Sequence, residues 1–170
     1  LSGICFINNY AWVIGENGKI LFSEDGGINW VQKSEGNTNW LMDVRFINNS
    51  IGFVVGRNGT ILKRTDSGIN WFRQLSNVSL NLNALCLMDE NKIWICCDNG
   101  TLLNTVDGGT NWQIVRIDSF TSFKSMAFLD AYIGWVVGSK DNSGPFESVI
   151  FKTTNGGDDW NELPNAYNLF

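Results

Sequence analysis

Aromatic residues recur through this chain at a nearly constant interval. One column is evenly spaced throughout, and a second is evenly spaced except for a longer last step. Their members are Trp12, Phe53, Trp94 and Trp135, then Trp30, Trp71, Trp112 and Trp160. Columns that stay in phase indicate four units, 1–40, 41–81, 82–122 and 123–170, of which the last is lengthened. Units of this length bury their apolar faces only against their neighbours, which predicts a repeat architecture.

Each unit contains four short β-rich segments separated by turn residues. In the second unit the predicted strands are 41–47, 52–55, 60–63 and 71–74, and Asn58-Gly59 supplies the positive φ angles of a tight hairpin. No stretch shows sustained helical periodicity. The prediction is an all-β fold, a β-propeller of four four-stranded antiparallel blades in a single domain over residues 1–170. Three arrangements stay open: a closed four-bladed ring, a homodimer that completes an eight-bladed ring, or an arc of a larger protein.

The composition argues against several classes of function. The chain has no His, which removes Ser/His/Asp triads and His-based metal sites. A net charge of −5 argues against a nucleic-acid partner. No run approaches 18 apolar residues, so we expect no membrane span. We expect no cofactor and no metal.

The turn between the third and fourth strands carries the most specific motif, Ser/Thr-x-Asp-x-Gly-x-x-Trp. A short acceptor side chain can bind the N–H groups of its own turn, the Gly supplies a positive φ, and the Trp covers the hairpin. The pattern resembles the Asp-box, or BNR, repeat, with departures at Arg64 and Asn155. A structural role is favoured over Ca²⁺ binding or catalysis, because the EF-hand pattern is absent. The predicted structural residues are Asp25, Trp30, Asp66, Trp71, Asp107, Trp112, Asn155 and Trp160.

The order of motifs within the units carries a narrower resemblance. Gly-Phe-Val-Val-Gly at 52–56 and Gly-Trp-Val-Val-Gly at 134–138, each with its Asp-box downstream, are similar to the photosystem II assembly and stability factor family of propellers and its bacterial relatives. That resemblance implies a non-catalytic scaffold that binds a protein partner. It also implies a location outside the cytoplasm, whether periplasmic, cell-surface or secreted.

An enzyme is the main alternative, because Asp-boxes also occur in sialidases and other glycoside hydrolases. The sialidase resemblance would imply a Tyr nucleophile and an Arg cluster. Tyr10 and Tyr132 fall in predicted turns, and the five Arg do not form a repeat column. We therefore expect no enzymatic activity. A carbohydrate-binding or sialidase-like propeller is kept as the second hypothesis.

Candidate binding residues lie on the rim opposite the Asp-boxes, where propellers usually bind ligands. Arg57, Asp98 and Lys140 fall in second-to-third-strand loops, Lys140 at the start of a lengthened loop over 139–145. Trp40 lies between units and outside the two Trp columns. Asp43 and Arg45 are two residues apart and share one face of a first strand. They are predicted to form an ion pair near the central channel, either as a ligand contact or as an internal salt bridge.

The four Cys leave the redox state open. Cys86 and Cys96 fall on adjacent predicted strands, so a disulfide between them is conceivable. Small buried thiols are the favoured interpretation, because Cys at strand positions commonly packs as a small apolar residue.

Overall fold

The structure, a computed structural model, describes residues 1–33, 39–66, 70–140 and 147–164. Sixteen β-strands occupy these ranges, four in each repeat unit. Their bounds are β1 Gly3–Ile7, β2 Tyr10–Ile14, β3 Ile20–Ser23, β4 Val31–Gln32, β5 Leu41–Phe46, β6 Gly52–Gly56, β7 Thr60–Arg64, β8 Phe72–Gln74, β9 Leu82–Leu87, β10 Ile93–Cys97, β11 Thr101–Thr105, β12 Gln113–Arg116, β13 Thr121–Phe128, β14 Gly134–Lys140, β15 Glu147–Thr153 and β16 Asn161–Glu162.

The strands form four separate four-stranded sheets, each an antiparallel meander in chain order. One sheet per repeat unit is the blade arrangement, so the predicted all-β propeller fold with four-stranded antiparallel blades is confirmed. We call the sheets blades 1 to 4. Within the part of the chain that the structure describes, no helix is long and apolar enough to cross a membrane.

Blade 4 departs from the sequence prediction at its second hairpin. Strand β14 continues through Ser139 and Lys140, which pair with Ser148 and Glu147 on β15. The inserted residues therefore lengthen both strands of the hairpin, and placing Lys140 in a loop was wrong. An antiparallel ladder satisfies the backbone N–H and C=O groups that an exposed loop leaves to water. The rest of the predicted loop, 141–145, lies outside the described residues.

Among the residues that the structure describes, the hydrophobic core consists of three clusters, each between successive blades. Trp12 and Ile14 of blade 1 pack with Leu41 and Val44 of blade 2. Residues at the equivalent repeat positions pack against each other between blades 2 and 3 and between blades 3 and 4. Alternation along each strand turns one set of side chains to the preceding blade and the other set to the following blade. Each blade is thus stabilised mainly by its neighbours.

The inner strands β1, β5, β9 and β13 pack in series, and adjacent blades are in extensive contact. Among the described residues, no comparable packing joins blade 1 to blade 4. The four blades therefore form an open arc rather than a closed small ring. Whether residues 1–170 are a complete domain stays a prediction.

Candidate functional site

The turns and loops that connect the strands lie on two rims of the arc, as the backbone hydrogen bonds between them show. The Asp-box turns bond the first hairpin turn of their own blade, as from Gly108 N to Asn91 O at 3.0 Å. The second hairpin turns bond the segment that joins two blades, as from Gly59 N to Leu80 O at 2.7 Å. The Asp-boxes thus occupy one rim. The predicted binding residues Trp40, Arg57 and Asp98 lie on the other, which we call the binding rim.

The Asp-box acid organises its own turn. In blade 1, Asp25 Oδ1 accepts hydrogen bonds from Ile28 N and Asn29 N at 3.0 and 2.9 Å, and from Ser23 Oγ at 2.8 Å. Trp30 Nε1 donates to Gly27 O at 2.9 Å. Blade 3 repeats the arrangement around Asp107, and in blade 4 Asn155 Oδ1 accepts from Asp159 N at 3.0 Å. The side-chain oxygens are thus engaged in holding the turn.

These bonds lower the pKa of the Asp-box acids of blades 1 and 3, Asp25 and Asp107. Hydrogen bonds from the backbone and side chain of Asn29, with one from Ser23, lower the pKa of Asp25 to about 2. The equivalent bonds from Asn111 and Thr105 lower the pKa of Asp107 to about 2. An acid that is ionised at such low pH holds no proton to donate in general acid catalysis.

Arg64 replaces the Ser/Thr of the Asp-box and takes a different role. Its guanidinium lies 5.1 Å from the ring centroid of Trp12 on blade 1 and 5.8 Å from that of Phe46 on its own blade. Its Nε donates to Asp66 O at 2.8 Å, so the side chain still braces the turn. The residue is buried, and burial lowers its pKa. The rest of this turn, 67–69, lies outside the described residues.

On the binding rim, Trp40 and Arg57 form a cation–π pair. The Arg57 guanidinium carbon lies 4.4 Å from the centroid of the Trp40 ring, and Arg57 N donates to Trp40 O at 2.8 Å. Gly56 is required here, because a Cβ at that position would lie 2.4 Å from Trp40 O. Arg57 is exposed and Trp40 half-buried. Two residues singled out separately in the sequence are therefore one unit.

Asp98 is the centre of a polar network on the same rim. Its oxygens accept hydrogen bonds from Asn81 Nδ2 at 2.8 Å, Asn83 Nδ2 at 2.9 Å and Ser122 Oγ. Lys124 Nζ lies 3.7 Å from Asp98 Oδ1. Burial raises the pKa of Asp98, but the bonds from Ser122, Asn83 and Asn81 outweigh burial, and the pKa is lowered.

From the sequence, none of Asn81, Asn83, Ser122 and Lys124 was recognised as a partner of Asp98. Asn81 and Ser122 occupy the same repeat column as Trp40, and Asp98 occupies the column of Arg57. Reading the Trp40 and Arg57 columns together would have indicated that these positions meet in each blade. The pairing is Trp40 with Arg57 in blade 2 and Asn81 with Asp98 in blade 3.

The predicted ion pair between Asp43 and Arg45 is present, with Arg45 Nε 3.3 Å from Asp43 Oδ1. Asp43 Oδ2 also accepts a hydrogen bond from Leu85 N on blade 3 at 2.9 Å. The Arg45 side chain is mostly exposed, whereas that of Asp43 is largely buried. The geometry gives Asp43 a structural bond between blades and leaves Arg45 accessible. A ligand role for Arg45 stays a prediction.

Lys140 forms an ion pair within blade 4. Its Nζ donates to both carboxylate oxygens of Glu162, at 2.7 and 2.8 Å. Hydrogen bonding and charge from Glu162 raise the pKa of Lys140. Because Lys140 lies on a strand and already has a carboxylate partner, its predicted binding role has no direct support from this geometry.

The four thiols are free. On the paired strands β9 and β10, Cys86 lies opposite Trp94 and Cys96 lies opposite Ala84, so the two thiols are diagonal neighbours. Burial raises the pKa of Cys96 to about 12, which suppresses the reactive thiolate. Within the described ranges, no group of three or more His, Cys, Asp or Glu residues could hold a metal ion.

A family model described as photosynthesis system II assembly factor YCF48 matches residues 1–65 and 34–120. The chain belongs to this family. A search of the curated proteins found no significant match. Family membership is thus carried by the first three blades, whose columns the fourth repeats.

Solved structures share the fold at low identity. YCF48 from Cyanidioschyzon merolae is 22% identical with a TM-score of 0.72, covering 98% of this chain and 57% of its own. YCF48 bound to D1 peptide is 15% identical with a TM-score of 0.61, covering 95% and 81%. A GH74 xyloglucanase from Xanthomonas campestris is 11% identical with a TM-score of 0.72, covering 92% and 28%. The chain therefore spans little more than half the length of the first YCF48.

Proposed function

We propose that this chain is a non-catalytic interaction propeller that binds a segment of a partner protein on the binding rim. The carrying observation is the Trp40–Arg57 pair, which presents an aromatic ring and an exposed guanidinium together. Trp and Arg are the side chains most often responsible for binding energy at protein interfaces. Membership of the YCF48 family and the YCF48 structure with bound D1 peptide support a peptide segment as the ligand class.

The rim suits a segment that carries both a carboxylate and an apolar side chain. Arg57 is free to form a bidentate pair with a carboxylate at its exposed edge. Trp40 offers an apolar surface beside it. The Asp98 network on the adjacent blade is already hydrogen-bonded, so it defines a rigid polar border.

The state of the acids supports a role other than catalysis. Asp25 and Asp107 are held ionised by their turns, and Asp98 has its oxygens occupied by three donors. A glycoside hydrolase needs one carboxylic acid with a raised pKa to protonate the leaving group. The alternative, a carbohydrate-binding or glycoside hydrolase propeller, has support only from fold similarity to GH74 enzymes.

The test is a titration of the fluorescein-labelled D1 peptide with the 170-residue chain, followed by fluorescence anisotropy. We expect saturable binding. We expect Arg57→Ala and Trp40→Ala to weaken it about 5- to 30-fold, the loss of roughly 1–2 kcal/mol typical of an anchor residue. Arg73→Ala is the matched control, because it removes an exposed Arg from the outer strand β8 of the same blade. It should bind as the wild type does.

A parallel titration with xyloglucan oligosaccharide distinguishes the two hypotheses. Sugar binding without peptide binding would replace the protein-binding proposal with the carbohydrate alternative. Equal losses in Arg73→Ala and Arg57→Ala would show that general charge, rather than the rim, attracts the peptide.

The proposal includes a location outside the cytoplasm, which rests on the family resemblance. Fractionation of cells that express the native gene, with immunoblotting of the cytoplasmic and extracytoplasmic fractions, tests this part alone. A purely cytoplasmic signal would contradict it.

A further inference from the structure

Arg45 stands among small side chains on the inner strands of the arc. Its repeat column holds two thiols and a methyl group in the other blades, and the column two residues earlier is small except at Asp43. The members of the two columns are Cys5, Arg45, Cys86 and Ala127, then Gly3, Asp43, Ala84 and Ser125. Small neighbours leave space around a long side chain, and 57% of the Arg45 side chain is exposed.

Asp43 holds the Arg45 guanidinium from one side. Arg45 Nε donates to Asp43 Oδ2 at 3.3 Å. Asp43 is itself fixed, because its oxygens accept hydrogen bonds from Val44 N at 2.8 Å and from Leu85 N of the next blade at 2.9 Å. Within the described ranges, Arg45 makes no other side-chain hydrogen bond, which leaves its two Nη groups available. The edge that these two groups form can donate to both oxygens of a carboxylate.

Two thiols flank the guanidinium on the neighbouring blades. Cys5 packs beside the core between blades 1 and 2, Cys86 packs beside the core between blades 3 and 4, and both are free and half-buried. Burial raises the pKa of both thiols, while a hydrogen bond to the backbone of the next blade and the charge of Arg45 oppose that rise. The guanidinium is thus close enough to act on a thiol on either side of it.

We propose that Arg45 binds a carboxylate on the inner wall of the arc and that Asp43 is the residue that positions it. The ligand carries a single negative charge, because a dianion such as phosphate would meet the Asp43 carboxylate at close range. Lys124, the other cation on the inner strands that the structure describes, lies 3.7 Å from Asp98 of the preceding blade. Arg45 therefore supplies the positive charge at this place.

This site lies apart from the Trp40–Arg57 pair, so the inference goes beyond the proposed function. Five residues along β5, at about 3.3 Å each, separate Arg45 from Trp40 by about 16 Å. A carboxylate at Arg45 comes either from a small molecule or from a protein segment that reaches inward from the binding rim. The recognised group is the same in both cases.

The test is alkylation of the two flanking thiols with iodoacetate, which carries a carboxylate, and with iodoacetamide, which does not. In both reactions the thiolate sulfur forms a bond to the CH₂ carbon and iodide leaves, so the step is the same. The folded chain reacts at about pH 8.5, near the ordinary pKa of a thiol, and mass spectrometry measures the rates at Cys5 and Cys86. The ratio of the iodoacetate rate to the iodoacetamide rate is divided by the same ratio for a short neutral peptide with one Cys.

We expect this normalised ratio to lie about 2- to 5-fold above one at Cys5 or Cys86, the gain that one ion pair to an exposed cation supplies. Arg45→Gln should return it to one. Arg73→Gln is the matched control, because it removes an exposed Arg from the outer strand β8, and it should leave the ratio unchanged. Circular dichroism establishes that each variant is folded. A ratio of one in the wild type, a ratio that survives Arg45→Gln, or an equal loss in Arg73→Gln would overturn the proposal.

Nuclear magnetic resonance gives a second readout that does not depend on thiol reactivity. Sodium acetate added to the isotope-labelled chain should shift the Nε–H signal of Arg45 in a saturable way, whereas sodium chloride at equal ionic strength should not. Identical responses to the two salts would contradict a carboxylate site.

Competition against iodoacetate identifies the source of the carboxylate. Slower alkylation of Cys5 or Cys86 in the presence of the D1 peptide would assign the carboxylate to a bound protein segment. Slower alkylation with sodium acetate but not with the peptide would assign it to a small molecule. If neither competitor slowed the reaction, Arg45 would not be a carboxylate site.

Discussion

Asp43 on β5 accepts a hydrogen bond from the backbone N–H of Leu85 on β9, with 2.9 Å between Asp43 Oδ2 and Leu85 N. A carboxylate on the inner strand of one blade thereby satisfies a backbone donor on the inner strand of the next. Asp43 Oδ1 also accepts from Val44 N at 2.8 Å. Arg45, its ion-pair partner, lies at the exposed side of this arrangement.

Replacement of Asp43 should therefore cost more stability than replacement of Arg45. Asp43→Ala leaves the Leu85 N–H without its acceptor, and we expect the free energy of unfolding to fall by about 1–3 kcal/mol. Arg45→Ala removes an ion pair whose cation is mostly exposed, with an expected loss below about 1 kcal/mol. Urea denaturation followed by tryptophan fluorescence measures both. A larger loss in Arg45→Ala would show that the ion pair, not the bond between blades, stabilises this junction.

Arg64 should stabilise the junction between blades 1 and 2 more than its own turn. Arg64→Ala removes the guanidinium from Trp12 and Phe46 and should lower the free energy of unfolding by about 1–2 kcal/mol. Arg64→Thr restores the Asp-box hydroxyl but not the aromatic contact, so it should recover only part of that loss. Thermal unfolding of the wild type, Arg64→Ala and Arg64→Thr measures their order of stability. A Thr variant more stable than the wild type would show that this position contributes to stability mainly through the turn and not through the aromatic contact.

Substitutions at two turn glycines distinguish the cost of a strained backbone from the cost of steric overlap with a neighbouring side chain. Gly157 has φ +100, and an added Cβ would lie 2.3 Å from Trp94 of the preceding blade. Gly26 has φ +75 with open space around the added Cβ. We expect Gly26→Ala to cost about 1 kcal/mol from the left-handed backbone and Gly157→Ala about 3 kcal/mol or more, because overpacking adds to that strain. Chemical denaturation checks the difference, and equal costs would contradict the packing contribution.

The Asp-box acids Asp25 and Asp107 should make the fold sensitive to acid below about pH 4. Asp25 and Asp107 have a pKa of about 2 in the folded chain, against an ordinary value of 3.8. A folded-state pKa below the unfolded value stabilises the fold above pH 3.8, and this contribution is lost as the pH falls through about 2.

The Asp25→Asn/Asp107→Asn double variant should therefore unfold at a temperature that changes less between pH 4 and pH 2 than the wild type does. Asn155 shows that an amide can serve in this turn. Glu24→Gln is the matched control. Glu24 is an exposed acid in the same turn, whereas the N–H groups of Ile28 and Asn29 donate to Asp25. An unchanged pH profile in the double variant would contradict the assignment to these acids.

The repeat period was sufficient to predict the blades. Columns at a fixed period, alternating strands and Asn-Gly turns predicted strand positions in blade 2 that differ only slightly from the observed ones at each end. The Asp-box hydrogen bonds were equally predictable, because Asp25 and its partners are close neighbours in the chain. Local chemistry at fixed spacing needs no knowledge of distant residues.

Contacts between blades were not predictable in the same way. Arg64 reads as a defect in a turn motif until Trp12, from the preceding repeat unit, lies beside it. The Asp98 network joins Asn81 and Asn83, at the start of blade 3, with Ser122 on β13 of blade 4. Lys140 reads as a loop residue because the extension of β14 depends on pairing with β15 across the insertion.

The sequence by itself determined that the chain forms four antiparallel blades with Asp-box turns, since backbone pairing and turn formation depend on residues close together in the chain. Only the tertiary structure decided that Asp43 joins two blades, that Trp40 and Arg57 form one unit and that Arg64 packs on Trp12 of the preceding blade. Those relationships depend on which blade follows which in space. A side chain on one blade takes its partners from the next blade, whose residues lie about one repeat unit away in the sequence.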